Sequence, residues 1–415
     1  MAASKKLPSN FFHIVKARSA AFFALNVLLI NLFLPPYKVT SAVPATLQIG
    51  WWTGAGVADL SRIDVQRAAG ETLQAAYYLA DPSTYLAKLQ QANIKVFLEV
   101  NRDAAASGDT EALTTYVNAY KNHPAIAGWM IYDEPEQSTV PASRLVDDYK
   151  AIKAADPNHP VAAVFGMRSC TYIAQRIDRK YFDAADIIMF DTYPVMDQPE
   201  FDTTVDGKRS FSDYRYIVND CLVYAGSLGK PFVIVAQGFQ WGSPGPGGGS
   251  NRNPTYAEER YFTFMPFIRD VAGLLYWVDY HADASLTATV NQVMSEASAV
   301  ASVLLHGTYN DPEVSVDSGD ISYKYGVDGA HTYLIAENDS RSSLTVTFTL
   351  PVSVQSISVM YDNYDVSTQS YLSRSIPAVS DPSGRSTFTD MFAPYQVHIY
   401  ELAAPPTMFA NSRLS

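Results

Sequence analysis

The 415-residue chain holds only two cysteines, Cys170 and Cys221. So few exclude a fold stapled by a disulfide framework; they can supply one bridge in an exported protein, or two buried thiols. Histidine is also scarce, with seven. None forms an H-E-x-x-H pair, so no metal ligand set is expected. No G-x-S-x-G elbow is present on which a Ser/His/Asp hydrolase could stand. No G-x-G-x-x-G follows the first strand-like run, and no P-loop lysine follows Gly247-Gly248-Gly249. Dinucleotide and phosphate cradles therefore have no support, and no cofactor is expected. Basic charge is short as well. Lys and Arg number 30 against 42 Asp and Glu, a net charge of −12, with no basic stripe of the kind nucleic acid needs.

Acids are missing from the start of the chain. Residues 1–42 carry Lys5, Lys6, Lys16, Arg18 and Lys38, and the first Asp is Asp59. An apolar run from Ala20 to Leu34 follows the basic stretch. It is about 15 residues, short of the roughly 20 that cross a bilayer. Small residues at Thr40-Ser41-Ala42 and Val43-Pro44-Ala45 offer cleavage sites. The expectation is a signal peptide over 1–42 and a secreted protein, extracellular or periplasmic, with no other membrane association. An uncleaved anchor is the alternative.

Long hydrophobic runs are absent beyond that point. Short ones recur instead: Leu47–Trp52, Gln74–Leu79, Lys95–Val100, Ile126–Tyr132, Val161–Phe165, Ile187–Asp191, Phe232–Gln237 and Leu274–Val278. They are apolar almost throughout rather than alternating, as strands covered on both faces should be. Helix signals lie between them. Asp81-Pro82-Ser83 opens one helix, and Asp109 precedes another over Thr110–Lys121. Pro141–Ala155 is a third, Thr255-Tyr256-Ala257-Glu258 is a capping box, and Ala284–Leu305 follows the eighth run. Eight strand–helix units predict a parallel (β/α)8 TIM barrel over 43–306, with an open doubly wound sheet as the alternative.

After His306 the grammar changes to alternating strands. They are Glu313–Asp317, Ile321–Tyr325, Tyr333–Ala336, Leu344–Leu350, Ser356–Tyr361 and Val397–Leu402. This predicts a small all-β sandwich domain over 307–403, with 404–415 as a C-terminal tail.

In such barrels chemistry sits at the C-terminal strand ends. Those ends carry Trp52, Tyr78, Glu99, Asn101, Asp133, Glu134, Glu136, Asp191, Tyr193, Gln237, Trp241, Trp277 and Asp279. Any one Trp could belong to the core, and Asp133-Glu134-Pro135-Glu136 could be a solvated loop. Together they are the residue types that bind sugars: aromatic faces for the ring C–H groups, carboxylates and amides for the hydroxyls. The expected partner is an oligosaccharide or polysaccharide. Gly242–Asn253 reads as a flexible lid over the rim, or simply as a loop.

Gly128-Trp129-Met130-Ile131-Tyr132-Asp133-Glu134-Pro135-Glu136 resembles the fourth strand of clan A glycoside hydrolases. There an Asn-Glu-Pro motif ends the strand and its Glu is the general acid/base; Asp133 stands in for the Asn and Glu134 for the Glu. Phe392–Tyr400 resembles the last strand of the β-domain that often follows such barrels. The resemblance implies a nucleophilic Glu at the end of strand seven, but the strand here ends Val235-Ala236-Gln237-Gly238 without a carboxylate. Three routes stay open. In an inverting hydrolase, Glu134 is the acid and Asp191 or Asp279 the base, about 6.5–9.5 Å apart. In a substrate-assisted retaining enzyme, Gln237 holds the sugar. The third is a carbohydrate-binding barrel that has lost catalysis.

Overall fold

The structure, a computed structural model, describes residues 45–54, 60–196, 211–242 and 252–402, apart from 363, 366, 367, 369 and 373. The expected leader, the C-terminal tail and most of the Gly/Pro-rich lid lie outside the described residues.

Eight parallel strands close a barrel in sequence order. They are β1 (Ile49–Thr53), β2 (Leu73–Ala76), β3 (Lys95–Glu99), β4 (Ile126–Asp133), β5 (Val161–Phe165), β6 (Ile187–Asp191), β7 (Phe232–Gln237) and β8 (Gly273–Trp277). Each falls on one of the eight apolar runs, and the closing pair is β1 with β8. Closure leaves no sheet edge and puts every strand between two packed layers. The lumen is filled by Trp52, Leu73, Ala75, Phe97, Met130 and Val164 among others. The opposite faces of the same strands pack against the helices.

Helix starts follow their caps. Asp109 accepts from the Ala112 N–H ahead of Thr110–Tyr120, and Thr255 and Glu258 form both halves of the capping box ahead of Tyr256–Ile268. The single helix expected over Ala284–Leu305 is instead two, Ala284–Ala299 and Ala301–His306, broken at β-branched Val300.

The C-terminal region is a sandwich of a four-stranded and a six-stranded sheet. Its core sets Val346, Phe348 and Phe392 against Leu334, Ile357 and Tyr400. The six expected strands are present, joined by Thr308–Tyr309, Arg374–Pro377, Val379–Ser380 and Ser386–Phe392. The last has buried alternate positions Ser386, Phe388, Asp390 and Phe392. Two of those four are polar, so its alternation is invisible to a hydrophobicity pattern. Asp390 is accommodated by an ion pair with Arg374 and the hydroxyl of Tyr400.

The Tyr256–Ile268 helix lies between barrel and sandwich, and every residue from Glu258 to Ile268 is buried. Arg260 donates to the carbonyl of Val397, and Arg269 pairs with Glu337 and with Asp339. Lys324, fully buried, donates to the carbonyls of Phe267 and Leu304.

Cys170 and Cys221 form a disulfide with Cα atoms 5.0 Å apart, joining the Cys170–Ile173 helix to Phe211–Ser227. The bridge closes a loop of 51 residues. A loop of that size predicts a loss of about 2–4 kcal/mol in the Cys170→Ser, Cys221→Ser double variant. Urea unfolding of that variant beside wild type measures it. Two titratable thiols in unreduced, denatured wild type would show that the bond does not form.

Candidate active site

Side chains alternate across a strand, so the residue two beyond the last lumen-filling position opens into the barrel mouth. That rule takes Ala75 to Tyr77, Phe97 to Glu99, Val164 to Gly166, Met189 to Asp191, Val235 to Gln237 and Leu275 to Trp277. β4 reaches the same level through a register shift between Met130 and Tyr132, which brings in Asp133.

Glu134 follows in the left-handed region, with φ 53° and ψ 52°. A non-glycine residue is held there only when its surroundings fix it. Its N–H donates to the Val164 carbonyl at 2.9 Å, and Pro135 at once opens a short 3-10 turn. Glu136 then accepts the Gly166 and Met167 N–H groups at 2.8 and 3.0 Å, tying this turn to the end of β5. The consequence is that Glu134 reaches across strand five. A Cβ placed on Gly166 would lie 2.1 Å from Glu134 Oε1 and 2.3 Å from Asp191 Oδ1. The two oxygens are therefore no farther apart than the sum of those distances. Gln137 donates to Glu134 Oε1 at 2.6 Å. Burial, then Glu134, then Asp133 hold the Asp191 carboxyl well above the usual carboxylate range, against a lowering hydrogen bond from Tyr193.

Beside this pair runs a polar chain. Trp277 Nε1 donates to the Tyr77 hydroxyl at 2.8 Å, and that hydroxyl donates to Asp133 at 3.3 Å. Arg102 reaches Asp133 at 3.3 Å and Glu99 at 2.8 Å, and its guanidinium lies 5.6 Å from the Tyr77 ring centre and 5.5 Å from that of Tyr132. Glu99 also accepts the Tyr78 N–H at 3.0 Å. Burial leaves the Asp133 and Glu99 carboxyls raised, although Arg102 offsets part of it for both. The other wall is aromatic. Tyr193 stacks on Trp277 at 5.5 Å and 24°, and Phe239 meets Tyr193, Trp241 and Trp277 edge-on at 4.9–5.0 Å.

The structure thus brings together Glu99, Asp133, Glu134, Glu136, Asp191, Tyr193, Trp241 and Trp277. Five expected site residues stand apart. Trp52 is 1 % exposed, a layer down in the lumen and 5.1 Å from Tyr77. Tyr78 turns outward onto Tyr116, because its neighbour Tyr77 takes the inward position. The Asn101 side chain caps the Arg102–Ser107 helix by accepting from the Ala104 N–H. Gln237 is fully buried and spent on backbone: its Oε1 accepts from Val195 N–H, and its Nε2 donates to the carbonyls of Val195 and Phe239. It cannot also hold a sugar. Asp279 is bonded to Thr53 between β8 and β1, and burial raises its carboxyl to about 6. The nearest oxygens of Glu134 and Asp191 lie closer than the about 6.5–9.5 Å expected between the carboxyls of an inverting pair. Tyr77, Arg102, Gly166 and Phe239 belong to the site without having been singled out. Strict alternation along β2 and β5 points to Tyr77 and Gly166; nothing local in the sequence marks Arg102 or Phe239.

Among the described residues, no group of three or more His, Cys, Asp and Glu side chains could hold a metal ion.

No family model and no curated protein sequence matches this chain. Solved structures do. A GH30 endoxylanase from Clostridium papyrosolvens superposes with a TM-score of 0.52 at 12% identity, covering 88% of this chain and 98% of its own. A glycoside hydrolase family 5 structure from Bacteroides vulgatus gives 0.51 at 12%, covering 89% and 95%. The α-L-arabinofuranosidase of Thermotoga maritima gives 0.52 at 9%, covering 88% and 98%. The fold of this chain, a closed (β/α)8 barrel followed by a β-sandwich, is the one these glycoside hydrolases share.

Proposed function

We propose that the chain is a secreted glycoside hydrolase. In this reading Glu134 donates the proton to the leaving oxygen, and Asp191 governs that proton and orients the substrate. The convergence of the two carboxyls over Gly166 carries the reading. A buried carboxyl beside a second acid ionises less readily, which favours retention of a proton on the pair, as a general acid requires. The wall of Tyr193, Trp241 and Trp277, backed by the buried Phe239, suits the apolar face of a sugar. The expected leader over 1–42 and the Cys170–Cys221 bridge support export. No helix among the described residues is long and apolar enough to cross a membrane.

Of the three routes, substrate assistance fits best. The facing oxygens lie too near one another to seat both an anomeric carbon and an attacking water on its far side, and Gln237 occupies the place of a strand-seven nucleophile. A 2-acetamido group on the substrate supplies the missing nucleophile: its carbonyl oxygen attacks the anomeric carbon while Asp191 and Tyr193 hold the amide. The sealed Gln237 also favours a second reading, a glycan-binding barrel without catalysis. Asp191→Asn separates the two. In the enzyme it abolishes turnover of acetamido glycans. In a binder it costs one hydrogen bond, about 1–3 kcal/mol. If wild type cleaves neither acetamido nor plain glycans yet binds one, and Asp191→Asn only weakens that binding, the hydrolase reading is wrong.

A further inference from the structure

A second cavity, of about 280 Å³, opens where the first turn of the Tyr256–Ile268 helix faces the β-sandwich. Thr255, Tyr256 and Arg260 line it from the barrel side, and Asp362, Tyr364 and Gln396 from the other. Its tyrosines continue outward, Tyr256 against Tyr364 at 4.9 Å and Tyr364 against Tyr371 at 4.8 Å. Arg260 is 5 % exposed; its Nε faces Glu296 at 2.9 Å and its Nη1 is taken by the Val397 carbonyl, so it braces the cavity wall.

Charge narrows the class of ligand. Of the residues lining the cavity only Arg260 and Asp362 are charged, one of each sign, so the lining holds no net charge to trap an ion of either sign. What it offers is a tilted aromatic platform with a carboxylate and an amide beside it. Those are the groups that meet a neutral polyhydroxylated ring, whose C–H face stacks while its vicinal hydroxyls both give and accept hydrogen bonds. The volume is just below the roughly 300–1,000 Å³ of sites for whole drug-sized ligands, so it admits one or two sugar rings rather than a long chain segment.

We infer that this junction is a non-catalytic binding subsite for a neutral glycan, with Tyr256 and Tyr364 as the platform and the Gln396 amide beside it. The inference rests on the reading that the chain acts on glycans. It places on the helix shared by barrel and sandwich a second contact that keeps a polymeric substrate near the barrel mouth.

The test uses the full chain carrying Glu134→Gln, so that glycans are retained but not consumed. Affinity electrophoresis is run in neutral polysaccharides of several types and in a polyuronate. Adding Tyr364→Ala is expected to weaken retention by a neutral polysaccharide about tenfold, whereas Tyr364→Phe, which keeps the ring, stays within about twofold. With Glu134 intact, Tyr364→Ala leaves turnover of a short soluble substrate unchanged. The inference is overturned if Tyr364→Ala is retained as tightly as its parent or if no neutral polysaccharide retards the protein. It is overturned equally if the polyuronate is preferred, or if Trp277→Ala alone removes all retention. Failure of wild type to hydrolyse any glycan would instead count against the active-site reading, and the retention measurements would still decide this one.

Discussion

Glu134→Gln lowers turnover on a cleavable glycan by about 100-fold or more, with the fold intact. Gln keeps the length and shape of Glu, so the left-handed backbone at φ 53° and the turn pinned by Glu136 are undisturbed. What disappears is the acidic proton of the carboxyl beside Asp191. Kinetics on 2-acetamido and plain substrates, with circular dichroism as the control for folding, measure the effect. A fully active variant would remove Glu134 from the chemistry. The wild-type pH profile carries the same logic. Burial and the neighbouring Glu134 raise Asp191, so its protonated form is favoured in the folded state. Stability from this group is complete below the ordinary carboxylate value of about 3.9 and is lost as pH rises through the raised value, where Asp191 ionises. Activity and thermal stability should therefore both decline on the alkaline side.

Gly166→Ala is expected to cost about 10–100-fold in turnover while changing the melting temperature little. Gly166 has no left-handed backbone requirement, so alanine is sterically acceptable to the main chain. The atoms in the way are the ends of two flexible side chains, Glu134 Oε1 at 2.1 Å and Asp191 Oδ1 at 2.3 Å. Both can swing aside, but not while remaining together. The substitution thus separates the pair without removing either acid, which deletion of one carboxyl cannot do. Full activity in a folded Gly166→Ala variant would show that the contact between the carboxyls is not used.

The fold was legible because each barrel strand is a short apolar run buried on both faces, a pattern that survives without any relative to compare. The sandwich was legible only where its inward positions are apolar; Ser386–Phe392 hides a buried Asp390 among them. At the site, residue type found the acids and the aromatic wall, but direction decided membership. Tyr77 and Tyr78 are adjacent and chemically identical, and only strand parity turns the first inward. Gln237 looked like a sugar contact because its strand end faces the mouth. The three backbone groups that consume its amide come from Val195 and Phe239, one of them 42 residues away, and no local pattern announces them.

The helix of Tyr256–Ile268 belongs to two cores at once. Its residues lie in one continuous apolar cluster with barrel side chains such as Tyr276 and with sandwich side chains such as Tyr333, Ile335 and Ile399. Most appended modules are joined by a linker and can be exchanged between enzymes like interchangeable parts. Here a cut after the barrel would strip one side of a helix that is buried along nearly its whole length, taking the Val397 carbonyl from Arg260 and Glu337 and Asp339 from Arg269. The sandwich is therefore inherited with its barrel as a single piece, and recombination that separates them has no stable product.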